Sequence, residues 1–288
     1  MAIPQPDKQA HTAQDAQLAP WGRLTDAAQW LAACQGAAPA HEPRRVRAVI
    51  FADQETSLSA AETAARRAEA GLNVVTVTDY SQAYSLGAET ADAEIDAGAD
   101  LLIPGGEELA RVPAVVMATM TQTEPVVIVG KQRSVEDWKR EVSAIRDAMF
   151  RARNLEGMEL VESCQSTVLA ATVGFIARAA ERRTPLLIDA PLTATAALLA
   201  ERDNPGVKDW LFATTLSTAP AHKLALEELG LHPLMELGME PQPPLGALAA
   251  LPLLLTGVEI AADSYAGVTS LGYGANRGYP PLRRAGFR

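Results

Sequence analysis

Apolar positions along this chain fall into two kinds of run that alternate. Short continuous runs stand at residues 46–51, 73–78, 100–103, 125–129, 185–189 and 210–214. Between them lie stretches with helical spacing at 59–70, 88–97, 134–151, 167–181, 193–201 and 219–229, and a last apolar stretch at 245–262. A continuous apolar run fits a strand covered on both faces, and strands separated by helices predict a parallel sheet. The fold class this predicts is α/β, a three-layer α/β/α sandwich with a mostly parallel Rossmann-like sheet. Residues 21–35 read as an amphipathic helix with Leu24, Ala27, Ala28 and Leu31 on one face, closed by Gly36. Glycine also closes the helical stretches at Gly71, Gly98 and Gly230, and Ser134-Val-Glu-Asp137 opens one in the manner of a capping box. Pro104-Gly-Gly106 is expected to break the third strand. The expected organisation is a flexible tail over 1–18, a small helical annex over 19–44, an α/β domain over 45–264, and a Gly/Pro/Arg-rich tail over 265–288.

Composition narrows the function classes. The 288 residues carry 25 basic against 35 acidic side chains, a net charge of −10 that disfavours nucleic acid as a partner. At 48% hydrophobic and 21% charged the chain is ordinary for a soluble protein. With 5% aromatic residues its core must be built from Ala, Leu and Val. Cys34 and Cys164 form no close pair, so neither a disulfide framework nor a zinc site is expected, and both read as small buried apolar residues. The first twenty residues lack the apolar stretch of a signal peptide. The run 245–255 contains a proline and is short for a bilayer, so the expectation is a cytoplasmic protein with no membrane partner.

In a doubly wound sheet ligands bind beyond the carboxyl ends of the strands, so the residues following each run are the candidates. These are Asp53, Gly105 and Gly106, Gly130 with Lys131 and Arg133, Asp189, and Ser217. The paired glycines can admit a ligand to the backbone or simply make a turn, and Glu107 and Glu108 beside them would oppose a phosphate. Gly130-Lys-Gln-Arg133 sets two cations before a helix start, which serves equally as an anion site or as a solvated basic loop. Asp189 ends an apolar strand and must be paired or act as a cap; it can hold a ligand hydroxyl or cap the helix beginning near Leu192. Ser217 reads first as an N-cap, and His222 as a structural histidine. No Ser-His-Asp spacing, metal-ligand cluster or GxGxxG pattern is present, and no cofactor is expected.

Several of these segments carry a resemblance. Trp21-Gly-Arg-Leu-Thr-Asp-Ala-Ala-Gln-Trp-Leu-Ala-Ala-Cys-Gln-Gly36, Val49-Ile-Phe-Ala-Asp53, Pro185-Leu-Leu-Ile-Asp-Ala-Pro-Leu-Thr-Ala-Thr-Ala-Ala-Leu-Leu-Ala200 and Ser217-Thr-Ala-Pro-Ala-His-Lys-Leu-Ala-Leu-Glu-Glu-Leu-Gly230 resemble segments of the nicotinate-nucleotide–dimethylbenzimidazole phosphoribosyltransferases. The similarity runs, with gaps, over residues 20–262. It implies transfer of phosphoribose from nicotinate mononucleotide to dimethylbenzimidazole, giving the lower-ligand nucleotide of cobalamin. It also implies a homodimer. That chemistry needs a carboxylate to take the ring proton of the base and a cradle for phosphate.

The departures fall on the site loops. The family's Gly-Met-x-x-Gly-Glu-Gly-Thr-Gly-Ala loop is here Gly238-Met-Glu-Pro-Gln-Pro-Pro-Leu-Gly-Ala247, so Pro243 takes the place of the glutamate. Its phosphate loop is Gly130-Lys-Gln-Arg-Ser134, a lysine falls at Glu141, and a segment beyond Asp53-Gln-Glu55 is missing. The resemblance therefore implies a catalytically degenerate or weakly active member that binds a nucleotide or benzimidazole ligand, as a homodimer or as a heteromer with an active paralogue. An active enzyme with a relocated base, Glu240 or Glu107, is the first alternative. An interaction module without a small-molecule site is the second.

Overall fold

The computed structural model describes residues 3–15, 21–54, 58–130, 132 and 134–271. In chain order the elements are α1 (Lys8–Asp15), α2 (Arg23–Gln35), β1 (Val46–Ala52), α3 (Ser59–Arg67), β2 (Gly71–Thr76), α4 (Tyr80–Asp96), β3 (Leu101–Gly106) and α5 (Arg111–Thr121). Then follow α6 (Pro125–Ile128), α7 (Val135–Ala152), α8 (Gly157–Ser163), α9 (Thr167–Glu181), β4 (Leu186–Ile188) and α10 (Pro191–Asp203). A 3-10 turn at Val207–Trp210 leads to β5 (Leu211–Ala213), β6 (Thr215–Leu216), α11 (Pro220–Leu229), β7 (Met235–Glu236) and α12 (Leu245–Leu271).

Five strands form one parallel sheet in the order β2-β1-β3-β4-β5, and β6 and β7 form a separate parallel pair. The α/β fold with a parallel sheet is thus as the apolar runs predict. Alternation along each strand feeds two cores. Val49, Phe51, Leu102, Leu186, Ile188 and Leu211 pack with α4, α5, α9 and α10 on one face. Ala48, Leu101, Ile103, Leu187 and Phe212 pack with α2, α3 and α12 on the other. On the first face α4 and α9 meet backbone to backbone. A Cβ on Gly87 would run into the carbonyl of Ala171, and one on Gly174 into the carbonyl of Tyr84. Arg178 of α9 and Arg182 just past its end extend this contact by binding Asp92 and Asp96 of α4.

Four expectations are corrected. The run 125–129 is not a strand but the short helix α6. A five-residue apolar run has no readable period, and Pro125 at the first helical position, after an extended Glu124, sets a helical φ. Val126 and Val127 are exposed, so no sheet neighbour covers them. Second, β3 runs through Pro104 to Gly106. The N–H of Leu102 meets the carbonyl of Pro185 toward β4, but pairing with β4 stops there. Pro104 points its missing N–H to that unpaired side and costs no ladder bond. Third, residues 3–15 are docked. Asp7 caps α1, Ile3 and Gln14 are buried, and the indole of Trp210 donates to the carbonyl of Pro4 at 2.8 Å. Fourth, α12 extends to Leu271, so the stretch 245–264 is long and apolar enough to cross a membrane, with half of that window buried in the fold. The expected Arg-rich tail beyond residue 271 lies outside the described residues.

Candidate functional site

The sheet order reverses between β1 and β3, and beyond their carboxyl ends opens a cavity of about 750 Å³. This is where the topology of a doubly wound sheet places a ligand crevice. Ile50, Leu58, Ile128, Ile145, Val168 and Leu192 give it apolar walls. The first residues of α5, α9, α10, α11 and α12 also line it, so five helix amino ends converge on one space. Their partial positive charge favours negative groups. The lining is accordingly acidic: Asp53, Glu107, Glu108, Glu141 and Glu240. Among the described lining residues the one cation is Arg111, and it is committed to Glu141 through bonds of 2.9 and 2.6 Å. That guanidinium holds the Glu141 carboxyl below its usual range.

Glu108 differs from the other acids. One carboxylate oxygen accepts from the hydroxyl of Ser166, and the other accepts the N–H of Leu109 at 2.8 Å. Ser166 is the N-cap of α9 and accepts the N–H of Leu169 at 3.0 Å. Burial in the cavity wall raises the Glu108 carboxyl above its ordinary value, the two hydrogen bonds oppose the rise, and the charge of Asp53 adds to it. Cys164, half-buried in the same wall, has its thiol pushed up by burial.

The expected site residues divide. Asp53, Gly106, Glu107 and Glu240 line the cavity, and all but Gly106 are exposed at its edge. Gly105 is buried and faces away from the space: a Cβ there would stand 2.7 Å from Cδ of Pro244 and 3.0 Å from the carbonyl carbon of Pro243. The loop 238–244 thus presses Pro243 and Pro244 onto the end of β3, and Pro243 also reaches the cavity. Gly130 lies under Pro220, while Lys131 and Arg133 lie outside the described residues.

Asp189 and Ser217 do not line the cavity. Asp189 is sealed, and its Oδ2 accepts the N–H of Ala247 at 3.0 Å and that of Gly246. The helix it caps is α12, not the one that follows it in sequence; there Thr193 bonds the backbone of Asp189 and Ala190. Burial raises the Asp189 carboxyl to about 7, and its Oδ1 has no partner. Ser217 holds the buried ring of His222, whose Nδ1 accepts the Ser217 N–H at 3.1 Å and lies 3.0 Å from its hydroxyl. Burial lowers His222 to about 4, so the ring is neutral and structural.

Sequence reasoning did not select Glu108, Ser166 or Arg111. Ser166 was findable as a serine just before the apolar helix at 167. Glu108 stood beside Glu107, and nothing in the order of residues told the two apart.

Together, the parallel sheet, its helices on both faces and the cavity at the strand-order reversal define a doubly wound α/β protein with an open crevice at its switch point. Residues 61–268 match the pattern of a phosphoribosyltransferase family. The chain is 36% identical to a nicotinate-nucleotide–dimethylbenzimidazole phosphoribosyltransferase of Corynebacterium efficiens, over 84% of this chain and 81% of that protein. It is 33% identical to one of Mycobacterium ulcerans, over 94% of this chain and 95% of the relative. That alignment spans 339 positions against 288 residues here, so the relative carries segments this chain lacks. The crystal structure of the Thermus thermophilus protein of the same name superposes with a TM-score of 0.77 at 24% identity, covering 88% of this chain and 96% of that one, which shows the shared fold. This chain belongs to the nicotinate-nucleotide–dimethylbenzimidazole phosphoribosyltransferase family.

Proposed function

We propose that the cavity binds a benzimidazole-type base and that the protein transfers phosphoribose to it from nicotinate mononucleotide, slowly compared with its relatives. The observation that carries this reading is the cavity itself, whose apolar walls at the reversal of the sheet suit a flat heterocycle. Slowness follows from Pro243. It stands where the resemblance puts the family's glutamate, offers no proton acceptor, and is packed with Pro244 against Gly105. Proton removal then falls to a group elsewhere in the site, and a displaced base can forfeit up to the roughly 10²–10⁴-fold that a well-placed one supplies. The acidic lining and the pairing of Arg111 to Glu141 add an unfavourable field for the phosphate of the donor.

The test is an initial-rate assay with nicotinate mononucleotide and dimethylbenzimidazole, run beside the C. efficiens relative. A rate roughly 10²–10⁴-fold lower is expected. A rate equal to the relative's overturns the slowness, and absence of base binding by calorimetry overturns the function.

Of the expected candidates, Asp53, Gly106, Lys131 and Arg133 remain in this reading as ligand contacts. Glu107 and Glu240 serve it as acids of the rim. The unit that folds around the cavity is 45–264, with the N-terminal helices as its annex. The protein works in the cytoplasm and as an oligomer, with a second copy or with an active paralogue. The exposed Leu109, Val126, Val127 and Val135, set around α5, α6 and α7, support an assembly surface. Light scattering of the protein alone and mixed with a paralogue decides the assembly.

A further inference from the structure

We propose that Glu108, fixed by Ser166 at the start of α9, is the group that takes the ring proton of the bound base. This inference rests on the transferase reading and names the residue through which its turnover runs. Three observations bring it. First, both carboxylate oxygens of Glu108 are held in place by the fold, one by the Ser166 hydroxyl and one by the Leu109 N–H; Glu141 is also held on both oxygens, but by the Arg111 cation. A carboxylate has about four acceptor positions, so each oxygen keeps room for a further N–H. Second, Glu108 is half-buried against the wall, whereas Asp53, Glu107 and Glu240 are exposed, and Glu141 is bound to Arg111. An acceptor that competes poorly with water does little for an N–H, and Glu108 is shielded where the others are not. Third, the amino end of α9 lies at Glu108 through its own cap, so the negative charge is held at the positive end of a helix dipole.

The step balances as follows. One nitrogen of the imidazole ring attacks C1′ of the ribose and forms the new C–N bond. The bond from C1′ to the pyridine nitrogen of nicotinate breaks, and its electron pair leaves with that nitrogen, which loses its positive charge. The proton on the other imidazole nitrogen passes to the carboxylate of Glu108 and from there to water. Asp53 and burial both raise the Glu108 carboxyl, which brings it nearer the working pH of a base. Ser166 acts as a positioning residue, because its hydroxyl touches Glu108.

The experiment compares Glu108→Gln, Glu108→Asp and Ser166→Ala with the unmodified protein, by rate against pH and by calorimetric binding of dimethylbenzimidazole. Glu108→Gln is expected to lower the rate about 10²-fold or more and to abolish the rising limb of the pH profile. Its KM for nicotinate mononucleotide is expected to stay within about twofold, since the proton is not on the donor. Glu108→Asp is expected to recover part of the rate. Ser166→Ala removes a hydrogen bond that lowers the Glu108 carboxyl, so the rising limb is expected to move to higher pH. A Glu108→Gln protein that keeps the rate within about threefold and the same pH profile overturns the proposal while leaving the transferase reading intact. Binding is read without turnover. If the base binds the unmodified and Glu108→Gln proteins equally and neither turns over, the proposal also fails. If the base binds neither, the transferase reading fails and takes this one with it.

Discussion

Two carboxyl groups stand just past neighbouring strands of the same sheet, and burial raises both, yet they sit in opposite surroundings. Asp189 follows β4, is 4% exposed, and receives two backbone N–H groups from the start of α12. Glu108 follows β3, faces a 750 Å³ cavity, and receives one hydroxyl and one N–H from its immediate wall. The first has its space filled by its own chain. A Cβ on Gly246 would run into Thr215 and come within 3.0 Å of Asp189 Oδ2. The second has its space left for something else. A raised carboxyl is therefore no sign of chemistry until the room around it is known.

The contrast can be broken most forcefully through pH. The Asp189 carboxyl lies at about 7 in the fold, against an unfolded value near 3.9. A carboxyl raised by folding gives stability that is complete below the unfolded value and lost as pH rises through the folded one. Denaturation by urea at a series of pH values is expected to show the protein losing stability, relative to Asp189→Asn, between about pH 4 and 7. The loss is at most on the order of 4 kcal/mol. Parallel curves for the two proteins would remove the sealed-carboxyl account.

Gly246→Ala comes next. It forces a methyl group into the contact among Thr215, Asp189 and the α12 amino end. A cost of roughly 1–3 kcal/mol is expected by the same denaturation, with base binding unchanged. Weakened base binding at full stability would show that this sealed corner belongs to the cavity after all.

Ser166→Ala is the mildest change. It removes the cap of α9, worth about 1 kcal/mol, and releases one oxygen of Glu108. Thermal unfolding is expected to fall by a few degrees, and a much larger drop would mean that Ser166 supports more than its helix and one acid.

How much of this was legible in the sequence follows from what sequence carries. β1, β2, β3, β4 and most helices were visible because a buried parallel strand is a continuous apolar run and a helix closes on glycine or opens on Ser134. The segment at 125 failed because a five-residue apolar run carries no period and Pro125 alone decided. α5 and α8 were not assigned. The first begins with Arg-Val-Pro and is buried without a break from Pro113 to Thr119, which leaves no polar face there to mark it. The family was legible from scaffold segments, and the altered loop from Pro243. The roles of single acids were not, because the distinction between Glu107 and Glu108, or between Asp189 as ligand contact and as cap, lies in partners 58 residues away along the chain.

The reciprocal close approach of Gly87 and Gly174 has a consequence for binding thermodynamics. α9 carries Ser166 at its amino end and is locked to α4 along a contact with no side chain between the two backbones. Rotamer freedom cannot loosen that contact, so the wall holding Glu108 is stiff before any ligand arrives. The ordering entropy of this part of the cavity is spent during folding rather than during association, and a ligand there meets a surface already in its final shape. A larger residue at either glycine, by wedging the helices apart, would show its effect first as a softer binding site with a more negative entropy of association, measurable by calorimetry.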